Sequence, residues 1–202
     1  MTQQSWLASF VLTFVPLFIV IAAVRNLPFV IILNEERSPS ERRKLIRDAV
    51  ITALILGVLF LFLGKFLLQI MGISIGVFAI GGGVILLVLS ITYLLSNETH
   101  IHEKEELVAV VPVGTPLTVG PATLTTLLLL GTQFPIYWVL ISFVLNIAIV
   151  WVIYWQSTKI LLFLGKAGVT VISKVFSLLL TAIAVNMVIQ GLSIIHVLHL
   201  TN

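Results

Sequence analysis

The sequence predicts an all-α polytopic membrane protein: six transmembrane helices in two inverted three-helix repeats, with spans one and four discontinuous. Three observations lead there. Hydrophobic residues make up 59% of the chain and charged residues only 9%, against roughly 25% charged in soluble domains, and mean hydropathy is +1.20. The apolar residues gather in six runs, Trp6–Leu33, Ala49–Ile70, Ile75–Leu95, Leu107–Gly131, Phe134–Trp155 and Val169–Ile195, and a bilayer crossing takes about 20 of them. The first run of each half is interrupted in its middle by proline, glycine and polar residues.

The spans follow in order. The first run has 28 positions, which as straight helix would reach roughly 42 Å, so Arg25-Asn26-Leu27-Pro28 is read as a kink, an unwound stretch or a re-entrant turn. The second and third runs read as plain spans, the third carrying Gly81-Gly82-Gly83 for close helix approach. The fourth is broken by Pro112-Val113-Gly114-Thr115-Pro116, continuing through Thr118 to Gly120-Pro121. The fifth and sixth are plain, with Asn146, Asn186 and Gln190 as buried amides expected to bond between helices or face a polar cavity. Met71–Leu95 resembles Gly165–Ile189 in layout, a short glycine-containing lead before a dense apolar run. An odd number of spans per half makes such a repeat inverted. The chain is thus one membrane domain, 1–202, with half 1 at 1–95, a linker at 96–106 and half 2 at 107–202. No basic cluster precedes the first run, and its length exceeds a signal-peptide core, so it is expected to be retained.

Charge placement orients the chain. Arg37, Arg42, Arg43, Lys44 and Arg47, then Lys104, then Lys159, Lys166 and Lys174 lie on or near connections one, three and five, while Lys65 alone lies opposite. The positive-inside rule puts those connections in the cytoplasm and both termini outside a multi-pass protein of the plasma or inner membrane. Trp6, Tyr137, Trp138, Trp151, Tyr154 and Trp155 fall near span ends as interfacial anchors.

The breaks are the candidate site. Lipid cannot bond the backbone groups they release, so such breaks face protein or a water-filled cavity, and half-helix N-termini suit a carboxylate. Asn26, Thr115, Thr118, Thr123, Thr125 and Thr126 offer an amide and hydroxyls; Gly114 and Gly120 allow close backbone approach. The alternative is that the prolines and glycines only kink helices and the threonines bond their own backbone. Arg25 is either a guanidinium for a substrate carboxylate or a gate, or a side chain snorkelling to the interface.

Several function classes fall away. All eight acidic residues lie in or at the edges of connections Asn34–Asp48 and Ser96–Glu106, so no buried carboxylate is available to relay protons. No catalytic residues, metal site or cofactor are expected, since the spans hold no Ser/His pair, acid pair or His-Glu motif, and no histidine to ligate haem. The absence of cysteine removes thiolate chemistry. His100-x-His102 is a solvated-loop pattern, and the basic stretch Arg37–Arg47, interleaved with acids, suits topology and anionic lipid better than nucleic acid.

Four stretches together resemble the MarC family: Ser38-Pro39-Ser40-Glu41-Arg42-Arg43; Met71-Gly72-Ile73-Ser74 with Phe78-Ala79-Ile80-Gly81-Gly82-Gly83; Val111-Pro112 to Thr115-Pro116 with Gly120-Pro121; and Leu180-Thr181-Ala182-Ile183-Ala184-Val185. The family's first-span signature is similar to Asp-Pro-x-Gly-Asn-x-Pro; here Asn26 and Pro28 match, whereas Ala22, Ala23 and Arg25 replace the acid, the first proline and the glycine. In the second signature Pro116, Gly120 and Pro121 match, and Ala122 stands where a glycine is common. The resemblance implies a six-span inner-membrane protein, grouped with LysE-type exporters, that transports small neutral amino acids such as glycine and alanine. From the breaks and the resemblance together, the candidate binding residues are Arg25, Asn26, Pro28, Thr115, Pro116, Thr118, Gly120, Pro121 and Thr123. The implied partners are that substrate and the lipid bilayer, with a coupling cation and a homo-oligomer as further candidates. The alternatives are a channel or exporter for another small solute and a non-transporting scaffold.

Overall fold

The structure, a computed structural model, describes residues 6–21, 23, 27, 30, 38–95 and 119–195. Among these residues the chain forms six helical elements and no strand: α1 (Trp6–Ile21), α2 (Pro39–Ile70), α3 (Ile75–Leu95), α4 (Pro121–Gln133), α5 (Ile136–Trp155) and α6 (Ser157–Ile194). Four helices are long and apolar enough to cross a membrane: α2, α3, α5 and the Ala167–Ile194 part of α6. Only 22–33% of each of their apolar windows is buried inside the protein, so most of the apolar surface faces outward, as a lipid-embedded bundle requires.

Helix boundaries follow local chemistry. The polar connection expected to reach Asp48 is already helical from Pro39, because Ser38 and Glu41 form a capping box with Pro39 in the first turn. The Ser38 N–H donates to Glu41 Oε2 at 2.9 Å. At 32 residues, α2 is roughly 48 Å long, so its polar start stands clear of the bilayer core. The connection expected around Lys159 is likewise helical from Ser157, and turns only at Gly165, whose φ of +65° falls in the left-handed region that glycine tolerates. Gly72, with φ of +69°, makes the turn from α2 into α3.

Two buried clusters organise the bundle. One joins Leu17, Ile21, Ala23, Val30, Val119, Leu127, Phe143 and Val150, bringing α1, α4, α5 and α2 together. The other joins Val20, Leu86, Ala122, Leu129, Leu180 and Met187 around α3 and α6, the most extensively packed helix pair. Small residues permit these approaches: Gly57 lies under the Phe143 ring, and Gly83 lies against the Ala184 carbonyl. Tyr154, expected as an interfacial anchor, is instead 2% exposed in the first cluster. Trp6, Tyr137, Trp151 and Trp155 do face outward.

Candidate functional site at the paired helix breaks

The second expected interruption ends where α4 begins, and most of the first, Arg25, Asn26 and Pro28, lies outside the described residues. Helix α1 stops at Ile21, Ala23 lies in a turn, and the chain is helical again at Leu27 and Val30. In the second half the chain bends at Val119 and enters α4 at Pro121. As a result α1 and α4 have 16 and 13 residues, roughly 24 and 20 Å, each short of an apolar core roughly 30 Å thick. Of the candidate binding residues, Arg25, Asn26, Pro28, Thr115, Pro116 and Thr118 lie outside the described residues. Gly120, Pro121 and Thr123 lie within them.

Described residues near the breaks are largely interior: Ala23, Leu27 and Val30 are buried at the first, and Val119, Ala122 and Thr123 at the second, while Pro121 is exposed. Ala23, Val30 and Val119 share one cluster, while Val20 and Ala122 share the other with Leu86 and Leu180, residues in the middle of α3 and α6. Helices α1 and α4 also pack on each other. The described residues that flank the two interruptions therefore share the interior clusters, two of them with the centre of α3 and α6.

The start of α4 has a defined character. Gly120 is its N-cap, extended at φ −83° and ψ −179°, and no side chain caps the helix. Pro121 has no N–H, so Ala122 and Thr123 supply the first-turn donors at the positive end of the helix dipole. Both are buried, although Pro121 itself is exposed, and first-turn N–H groups without a side-chain cap suit an anion. The next turn is quieter. The Thr125 and Thr126 hydroxyls donate to the Pro121 and Ala122 carbonyls at 2.8 and 2.9 Å, so both satisfy themselves on their own helix. Thr125 packs against Gly82 of α3, where a Cβ would come within 2.4 Å of its Oγ1. Gly82 thus sets how closely α4 approaches, while Gly81 has nothing within 4 Å of such a Cβ.

A polar seam between α1 and α5 adds a second feature. Thr13 Oγ1 and Ser142 Oγ are 2.7 Å apart, and Asn146 donates through Nδ2 to the Phe14 carbonyl at 3.2 Å and the Ser142 carbonyl at 2.8 Å. Asn146 is 1% exposed, and its Oδ1 is the single buried side-chain acceptor without a partner among the described residues. Asn146 was a sequence candidate; Thr13 and Ser142 were not. Their signal is the four-residue spacing of Ser9 with Thr13 and of Ser142 with Asn146, one turn apart on otherwise apolar helices. The remaining amides behave differently: Gln133 Nε2 donates to Gln190 Oε1 at 2.9 Å, tying α4 to α6, and Asn186 is exposed. No group of potential metal-ligating His, Cys, Asp or Glu occurs among the described residues.

Comparison with known proteins covers nearly the whole chain. The model of the MarC family integral membrane protein matches residues 7–196. A UPF0056 membrane protein of Archaeoglobus fulgidus is 31% identical over 96% of this chain and 96% of its own. One from Methanocaldococcus jannaschii is 29% identical over 91% and 95%. The UPF0056 inner membrane protein YhgN of Escherichia coli is 29% identical over 87% and 92%. The search of solved structures returned no match.

Proposed function

Since this chain belongs to the MarC family of integral membrane proteins, we propose that it is a transporter of small neutral amino acids of the glycine and alanine class, whose substrate site lies between the two broken spans. The observation that carries the proposal is that buried residues flanking both breaks, Val20 and Ala23 near the first and Val119 and Ala122 at the second, share the interior clusters of the bundle. The substrate carboxylate meets the first-turn N–H groups of Ala122 and Thr123 and those around Asn26 to Pro28, with Arg25 beside it. The short side chain meets Gly120 and the threonine-rich wall. Pro116, Thr115 and Thr118 complete the second break, and Pro121 fixes where α4 starts.

Six spans in two inverted halves are part of the same proposal, placed in the inner membrane as for the relative YhgN, with both termini outside. Exchanging the halves carries the α1–α5 contact onto α4–α2 and the α3–α4 contact onto α6–α1, and leaves α3–α6, α2–α5 and α1–α4 in place; all of these pairs occur. The two left-handed glycines, Gly72 and Gly165, each precede the third span of their half. Inverted halves with the site at their interface are a recurrent transporter plan.

Asn146 supplies the coupling side. Its Oδ1 has no partner among the described residues, in a seam that also holds the Thr13–Ser142 hydroxyl pair, and amide oxygens are ligands of hard cations. In this proposal coupling runs through a cation rather than a buried carboxylate.

Purified protein in liposomes, assayed with labelled glycine and alanine with and without sodium and pH gradients, tests the function. Saturable, protein-dependent flux is expected; no flux of either amino acid contradicts it. In the same assay Gly82→Val, which pushes Thr125 and the first turns of α4, is expected to lower flux roughly tenfold, since ångström displacements of positioning groups have effects of this order or larger. Gly81→Val is expected to leave flux near the starting value.

A further inference from the structure

We propose that the end of the bundle where α2 begins and α5 ends holds the phosphodiester headgroup of an anionic phospholipid. Two adjoining grooves lie there, of about 350 and about 540 Å³, and both are lined by Arg42, Trp151 and Trp155. The first adds Arg43 and Arg47, the second Lys159. Their size falls in the range of ligand pockets, roughly 300–1,000 Å³. Basic pockets between helices at a membrane surface are suited to anionic headgroups.

The cations are held in place before any ligand arrives. Arg42 Nη2 donates to Ser157 Oγ at 2.6 Å and to Thr158 Oγ1 at 2.9 Å, which fixes the guanidinium at the α5–α6 junction and leaves its other N–H groups to face the grooves. Arg43 stacks over the Trp155 ring, 5.6 Å from its centroid. Acidic groups on this end are already engaged among the described residues: Glu41 caps Ser38, and Asp48 pairs with Arg47 at 3.2 Å. Arg42, Arg43, Lys44 and Lys159 outnumber the remaining carboxylate, Glu41, and leave a positive surplus next to the grooves among the described residues.

The apolar wall selects a lipid over a free phosphate. Trp151, Val152 and Trp155 are 43%, 52% and 51% exposed and line the grooves on the side that continues into the outward apolar faces of α2 and α5, at Ile51, Ile55 and Leu145. A phospholipid gives its phosphate to the arginines and its chains to this wall, with the tryptophans at headgroup level. Inorganic phosphate leaves the wall without a partner. The site stands apart from the transport proposal, because it uses none of the residues at the breaks.

Native mass spectrometry of the full-length protein, titrated in detergent with phosphatidylglycerol, phosphatidylcholine or inorganic phosphate, tests it. Phosphatidylglycerol is expected to stay bound where phosphatidylcholine does not, and excess phosphate is expected not to displace it. The double variant Arg43→Gln with Lys159→Gln is expected to weaken retention about thirtyfold, and each single variant about fivefold. Both side chains are exposed, and an unchanged unfolding temperature in phosphatidylcholine checks that the fold is retained; if the double variant fails that check, the single variants decide. Equal binding of the two lipids, unchanged retention in the variants, or displacement by phosphate overturns the proposal, the last pointing to a soluble anion.

Discussion

Gly191→Leu is expected to leave little folded protein, whereas Gly81→Leu is expected to fold as well as the unmodified chain. Helices α3 and α6 form the most extensive contact in the bundle, and in a membrane such contacts depend on close packing rather than on expulsion of water. At Gly191 an added Cβ would lie 2.6 Å from the Gly76 carbonyl oxygen and 2.6 Å from Ile80 Cγ1. Backbone cannot rotate aside as a side chain can, so the helices must part. Overpacking typically costs about 1–3 kcal/mol; with backbone as the obstacle and with Ser90 and Thr181 bonded at 2.9 Å across the same helices, the upper end is expected. Gly81 faces open space, so the same change there tests side-chain size alone. Folded yield and thermal unfolding in detergent measure both, and equal behaviour of the two variants would contradict this packing account.

Asn146→Leu is expected to abolish most gradient-driven uptake without destabilising the protein. The substitution removes the Nδ2 bonds to the Phe14 and Ser142 carbonyls, each worth about 1 kcal/mol, but it also removes a buried acceptor that has no partner, a liability of about 1–3 kcal/mol. The two roughly cancel, so the unfolding temperature is expected to hold. Transport behaves oppositely if Oδ1 holds the coupling cation, since a bond to a charged group is worth about 1.5–3 kcal/mol and its loss corresponds to at least roughly tenfold. Sodium-driven uptake is expected to fall by that factor while exchange of amino acid without a gradient persists. A purely structural Asn146 predicts the reverse, lower stability with coupling intact. No cation dependence in the unmodified protein also contradicts the assignment.

The membrane class, the four uninterrupted helices and the start of α4 at Pro121 were legible in the sequence, because each is set by local properties: apolar run length, and prolines that remove backbone donors. Helix starts were less legible where polar residues carry them. Ser38 and Glu41 extend α2 well into a stretch that composition alone assigns to a connection, and the same happens after Ser157. Tyr154 looked interfacial by position but is buried, since which side of a helix faces the core depends on neighbours far away in sequence. The pairing of Thr13 with Ser142 has the same cause, 129 residues apart in the chain. At the candidate site, Gly120, Pro121 and Thr123 were read from the sequence, whereas the packing of Thr125 against Gly82 of α3 was not, because no local pattern links the two.

In the proposed transporter the second break opens onto a water-filled substrate path. The chain has no cysteine, so Thr123→Cys provides a single thiol at the buried start of α4, and Leu127→Cys, one turn further along and fully buried, provides the reference. Modification of each by a water-soluble thiol reagent is measured in liposomes, with and without glycine or alanine. The expected result is that Cys at 123 reacts, that either amino acid slows the reaction, and that Cys at 127 stays inert. A thiol at 123 that is as inert as the one at 127, or that reacts at a rate no amino acid changes, would contradict the account.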